Sequence, residues 1–484
     1  MESIFVYVLN NYTTFLILII SIIILYFSVF KTKIRCSSLY NIPPGKNGWP
    51  IIGETLEYVS NNQKFVWDRM MKYSPDVFKT SIIGEKVAVL CGPSANKFIF
   101  SNETNLFKFW LPPSVAAILS VTNIDTNSSS SRLVTEELHK FLKVDSMQYL
   151  VPIMDSKAQQ HLQSFWVPFN EVKVHLLAKE FTFALSCCLF LDYHKSEQVK
   201  GISEPFYVLN EGTVAMPINF PGTLYYKARK REAELRSKLV DEIRQRKIEL
   251  SRKDHGGFDL LTRVLMASQE NGVMIDETVV AGRIISLLFA SFFTTSNTIT
   301  FVIDNLAKYP HVYDKVLQEQ LEIAQSKEAG ELLTWKDVQK MKYSWNAVCE
   351  TMRLEPPAQG SFRETITDVT YAGFNIPKGW KVHWNNHSTN MDPKIFPDPE
   401  KFDPTRFESN KVPPFAFVPF GAGPRMCTGK EYTRIEILVF LHNVVTKFKL
   451  HKINPNEKVI YNPNPYPVEG LRIHIQPHVT KKYF

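Results

Sequence analysis

Cysteine is scarce: six occur in 484 residues, at positions 36, 91, 187, 188, 349 and 427, with no CxxC pair and no regular spacing. That excludes a disulfide-stapled scaffold and a multi-cysteine zinc site, and it fits a reducing compartment. No unit recurs along the chain and no biased tract interrupts it, which excludes solenoids, arrays and disordered scaffolds. Basic residues are not interleaved with aromatics as in a nucleic-acid groove, so no nucleic-acid partner is expected; the net charge of +8 suits an anionic membrane surface or an acidic protein. A hydrolytic Ser/His/Asp arrangement and paired catalytic carboxylates are missing. So is any flavin or nicotinamide signature, since the lone Gly-Ala-Gly at 421–423 is too short to count. Any redox chemistry therefore draws its electrons from another protein.

The apolar content, 44%, is ordinary for a globular body and sufficient for a large core. One stretch stands apart: Thr14 to Phe30 carries no charge, and Lys31, Lys33 and Arg35 follow it. Its length is close to that needed to cross a bilayer core of about 30 Å. The run is long for a signal peptide and lacks a charged n-region, so it reads as an uncleaved anchor. The basic flank belongs on the cytoplasmic side, which places the rest of the chain in the cytosol. The expected organisation is an anchor with its basic flank over 1–35, a Pro/Gly linker over 36–50, and one catalytic domain over 51–484.

Strand-like alternation surrounds Gly84, amphipathic helical patterns dominate 130–350, and short strands return between 367 and 385. A final helix is predicted from about Gly429 to Phe448. The fold class is thus mainly α with a small β part. The charge-dense stretch Lys227 to Lys253, with eleven basic and five acidic residues at helical spacing, reads as a solvated helix face.

The most informative segment runs from Pro419 through Phe420, Gly423, Arg425 and Cys427 to Gly429, directly into the final helix. Glycines and the first helical turn free backbone N–H groups that can point at the Cys427 sulfur, favour thiolate and tune it as a metal ligand. A lone cysteine is more often a buried structural thiol. Here five residue types at fixed spacing, FxxGxRxCxG, match the haem-binding signature of cytochromes P450, and the chain resembles the plant microsomal members over nearly its whole length. Glu350 and Arg353 resemble the ExxR pair of that family, and Arg406 lies in a matching PxRF loop.

That resemblance implies a P450 fold, haem b with Cys427 as iron ligand, and a bracing triad of Glu350, Arg353 and Arg406. It also implies contacts from Arg425 and Arg363 to the haem propionates. Relatives carry a further propionate arginine near 128–141, where this chain offers only Arg132, out of register.

A long helix is predicted from about Asp276 to Lys308. Ala290 to Thr295 resembles AGx(D/E)T(T/S), the oxygen-activating motif of P450s, and Thr294 falls on the alcohol. Phe293 occupies the acidic position, and a phenyl ring cannot relay a proton. Phe109, Trp110, Leu111, Ala290, Phe292, Phe293 and Val468 are the candidate pocket walls, apolar and aromatic as a polycyclic terpenoid requires.

The closest pattern, carried by NIPPGKNGWPIIGETLE, PPAQGSFRETITDVTYAGFNIPKGWKV and FPDPEKFDPTRFE, is that of triterpenoid oxidases. The resemblance implies insertion of one O2 oxygen into a C–H bond, electrons from NADPH–cytochrome P450 reductase, and a single-pass endoplasmic-reticulum location. Lys430 and Arg434 are candidate basic residues for the reductase. A peroxide-rearranging P450 that needs no reductase, and a haem-binding scaffold without turnover, are the alternatives that Phe293 keeps open.

Overall fold

The computed structural model describes residues 20–21, 41–119, 128–252, 257–461 and 464–478. The expected anchor over 1–35 lies outside these residues apart from Ile20 and Ser21, which are helical.

Helices fill the middle of the chain: α1 (Asn62–Lys72), α2 (Gly92–Ser101), α3 (Ser129–Phe141), α4 (Val144–Phe165), α5 (Val174–Leu191), α6 (Ser196–Gly212), α7 (Leu224–Ser251), α8 (Glu277–Lys308), α9 (Lys342–Leu354) and α10 (Lys430–Lys447). A five-stranded sheet flanks them, built from β1 (Val77–Ile82), β2 (Glu85–Leu90), β3 (Phe107–Trp110), β4 (Gly360–Thr365) and β5 (Lys381–Asn385) in the order β1-β2-β5-β4-β3. Only β2 and β5 run parallel; β3 pairs antiparallel with β4, setting Phe109 opposite Arg363 and Trp110 opposite Phe362. The strands expected around Gly84 are β1 and β2, and Gly84 takes φ +77° in the turn between them.

Helix α8 shows why the sequence folds as it does. The Asp276 side chain accepts from the N–H groups of Thr278 and Val279, satisfying two of the free donors of the first turn. Glu277 and Lys308 sit at the ends that favour their charges, and Pro310 begins a new helix. Both α5 and α8 are long and apolar enough to cross a membrane, yet they pack on each other inside the body. Ser186 and Ser291 bond across that contact at 2.8 Å.

Of the Pro/Gly linker expected over 36–50, residues 36–40 lie outside the described residues. From residue 41 it is docked: the Asn41 amide donates to the Gly373 carbonyl, and the Lys79 N–H donates to the Pro44 carbonyl at 2.8 Å. A Cβ on Gly45 would meet the Lys79 carbonyl oxygen at 2.1 Å, so glycine lets this segment lie against β1. The segment thereby satisfies backbone groups along that strand.

Candidate functional site

Cys427 lies at the end of a loop that folds on its own backbone. Its N–H donates to the Phe420 carbonyl at 2.9 Å, the Met426 N–H donates to the Gly423 carbonyl at 3.1 Å, and α10 starts three residues later. Gly423 has φ +72°, and a Cβ there would sit 2.5 Å from the carbonyl oxygen of Phe100, near the end of α2. Only glycine fits that contact without moving backbone, so Gly423→Ala should cost about 1–3 kcal/mol and displace the loop. Lowered haem content and melting temperature on purification would register this; a wild-type haem content and melting temperature would show that the contact is dispensable. Gly429 is less constrained, because a Cβ there would lie 3.9 Å from the Cys427 sulfur, an ordinary contact.

Among the described cysteines, Cys91, Cys187, Cys188 and Cys349 are buried and Cys427 alone is exposed. The residue is exposed while the loop crowds its thiol. Desolvation pushes the thiol up from its usual value, and the Gly429 N–H pointing at the sulfur acts in the opposite direction. The expected donor is therefore present but does not by itself make a thiolate; a bound cation would supply the missing charge.

Helix α8 packs against α10 immediately downstream of this loop. Ala290 is exposed midway along α8, although most of the helix is buried, and Thr294 one turn on is half-buried. These positions share one face. The Thr294 hydroxyl donates to the Ala290 carbonyl at 3.1 Å, and Thr298 and Thr300 make the same backward bond to Thr294 and Ser296. Phe293 flanks the face half-buried. Phe292, a candidate pocket wall by sequence, is instead fully buried, packed against Phe183, Phe206 and Tyr207, and forms core. Two positions from Ala290 is about 200° around a helix, which turns its ring to the opposite side.

The residues of the expected triad come together. Arg353 donates to Glu350 through Nε at 2.7 Å and Nη2 at 2.8 Å, and Arg406 Nε reaches the same carboxylate at 3.2 Å. The Asp403 N–H adds a fourth donor at 2.9 Å. Arg353 also donates to the carbonyls of Asn390 and Lys401, so this buried charge ties α9 to the loop that leads to Cys427.

Arg363 and Arg425 converge on one ring, their guanidinium carbons 5.6 and 5.9 Å from the Phe109 centroid. Arg363, which the resemblance sets against a propionate, donates through Nε to Glu103 at 2.7 Å, and its Nη2 bonds the same carboxylate. Glu103 is a site residue that the sequence did not reveal, since a single acid in a polar turn carries no spacing signal. Arg132 is exposed on α3 and does not join this cluster.

Trp110 packs edge-on against Phe362, and Leu111 is half-buried beside it in sequence. Val468 lies exposed in a turn that follows the short strand Pro465–Pro467, whose Pro465 carbonyl accepts from Asn297 of α8 at 3.1 Å. Arg434 is not the free cation expected for a partner surface, being paired with Glu431 and packed over Trp335; Lys430 is exposed.

The donor set fits haem. No group of three or more His, Cys, Asp or Glu is placed to hold a metal among the described residues, so Cys427 is a single sulfur suited to an iron whose other ligands are ring nitrogens. Two arginines at the loop edge suit the carboxylates of such a ring.

Comparison with known proteins agrees with this geometry. The cytochrome P450 family profile matches residues 43–477. The chain is 48% identical to a beta-amyrin 6-beta-monooxygenase of Solanum lycopersicum, over 94% of this chain and 96% of that protein. It is 46% identical to a beta-amyrin 28-monooxygenase of Medicago truncatula, over 97% and 99%. Among solved structures, the retinoic acid-bound cyanobacterial CYP120A1 superposes with a TM-score of 0.80 at 30% identity, covering 91% of this chain and 100% of that one.

Proposed function

The chain belongs to the cytochrome P450 family, and on that premise we propose that this haem-thiolate monooxygenase oxidises a C–H bond of a β-amyrin-type pentacyclic triterpene. The observation that carries the reading is Cys427, an exposed residue whose sulfur faces the Gly429 N–H, placed next to a helix with an open Ala290–Thr294 face. The substrate class rests on near-full-length identity to beta-amyrin monooxygenases.

When bound, haem b supplies an O2 site and one-electron chemistry. Cys427 would hold the iron, and Arg425 with Arg363 would hold the propionates. Ala290 leaves room for O2. Thr294 keeps an acceptor lone pair on that face while its proton is given to the Ala290 carbonyl. Phe293 blocks the usual acidic route, so protons reach this face through hydroxyls or ordered water. Phe109, Trp110 and Leu111 contribute apolar surface that excludes water and orients the substrate.

Phe293→Asp should leave the substrate-induced spectral shift in place, raise the rate of NADPH consumption and change the product formed per NADPH. NADPH oxidation and product, assayed together, report this. Unchanged consumption would mean that position 293 does not limit proton supply.

Electrons come from NADPH–cytochrome P450 reductase, with Lys430 among the residues that attract its acidic face. The apolar run 14–30 and its basic flank anchor the chain in the endoplasmic reticulum membrane as a single pass, with the catalytic body in the cytosol. The retained Thr294 and the uninterrupted loop 420–429 favour monooxygenation over peroxide rearrangement. Co-expression with reductase in microsomes fed β-amyrin tests the assignment: an NADPH-dependent product one oxygen heavier is expected. Conversion of a lipid hydroperoxide without NADPH, and none of β-amyrin, would overturn it.

A further inference from the structure

We propose that Glu103 is a positioning residue that fastens the Cys427 loop to strand β4 and, through its negative charge, offsets one of the two arginine charges at the haem edge. This rests on the haem-thiolate reading above. Glu103 occupies the turn between α2 and β3, where Leu106 N–H closes on the Asn102 carbonyl at 2.9 Å, and it is only 3% exposed. One carboxylate oxygen receives Arg363 through Nε at 2.7 Å and through Nη2. The other receives the backbone N–H of Arg425 at 3.2 Å, two residues before Cys427. The same stretch of chain closes on Gly423 through the Phe100 carbonyl, so the loop is held at two points from one side.

Arg363 Nη1 is committed as well, giving hydrogen bonds to the Ser361 hydroxyl at 3.0 Å and the Phe362 carbonyl at 2.9 Å. Its guanidinium therefore has a fixed place over Phe109, beside that of Arg425. Two like charges over one ring repel each other, and a buried carboxylate that touches both residues offsets the repulsion. A surface acid would be screened by water and salt; this one is not.

The consequence is a sign pattern in the reduction potential. Reducing the iron adds one negative charge, so removing a nearby negative charge favours the reduced form and removing a positive one opposes it. In the full-length holoenzyme, Glu103→Gln should shift the potential to more positive values and Arg363→Gln to more negative values. The double variant, with both charges removed, should return close to wild type. Glu103→Asp keeps the charge and should stay near wild type. Loss of packing alone would not produce opposite signs that cancel.

Spectroelectrochemical titration of the four purified variants alongside wild type reads this directly. The proposal is overturned if Glu103→Gln leaves the potential in place or lowers it, or if the double variant keeps the shift of Glu103→Gln. Should Glu103→Gln fail to retain haem, the remaining pair decides: Arg363→Gln must lower the potential while Glu103→Asp holds it, and any other result overturns the proposal. A wild-type protein without a thiolate band in its reduced-CO spectrum would instead remove the haem-thiolate reading itself.

Discussion

Cys427→Ser abolishes the thiolate band of the reduced-CO spectrum and takes turnover below detection. A serine oxygen is harder and far less acidic than a thiol, so it neither matches the softness of the ligand site nor donates the electron density that favours O–O cleavage. The fold should survive, because the residue is exposed and the Cys427 N–H bond to Phe420 is a backbone contact that serine keeps. Far-UV dichroism and melting of the apoprotein should therefore match wild type while the spectrum changes. A serine variant with an unaltered thiolate band would show that another group binds the iron.

Glu350→Ala acts by a different route and should be nearly as damaging. It strips the carboxylate from Arg353, which is fully buried, and from Arg406, and it leaves the Asp403 N–H without its acceptor. Leaving a buried charge unpaired costs about 3–5 kcal/mol. Against a total stability of about 5–15 kcal/mol, that is a large share. The variant should accumulate poorly, melt early and carry little haem. Glu350→Gln keeps the shape and some of the hydrogen bonding, so it should fall between the two. Full haem content and an unchanged melting temperature in Glu350→Ala would mean that the carbonyls of Asn390 and Lys401 suffice to hold Arg353.

The parts legible in the sequence were those in which residue type and spacing fix the contact. Glu350 and Arg353, three residues apart on a helix, had to share a face, and the thiolate loop needed its glycines where the chain turns and closes on Phe100. Helix α8 was bounded by its Asp276 cap and by Pro310. Other features depended on partners that are distant in the chain. Glu103 meets groups 260 and 322 residues away, and nothing local marks it. Phe292 and Phe293 look alike as letters, but the helical turn sends one into the core and leaves the other at the edge of the open face. The docking of residues 41–45 depends on an edge strand, β1, which forms only once the sheet is assembled.

The most direct test of the account is turnover under isotopically labelled O2, with reductase, NADPH and β-amyrin supplied to the full-length protein. The account predicts a product that carries a single labelled oxygen atom, formed only when NADPH is present and consumed. Product oxygen drawn from water or from a peroxide, with no label gained from O2, would contradict it.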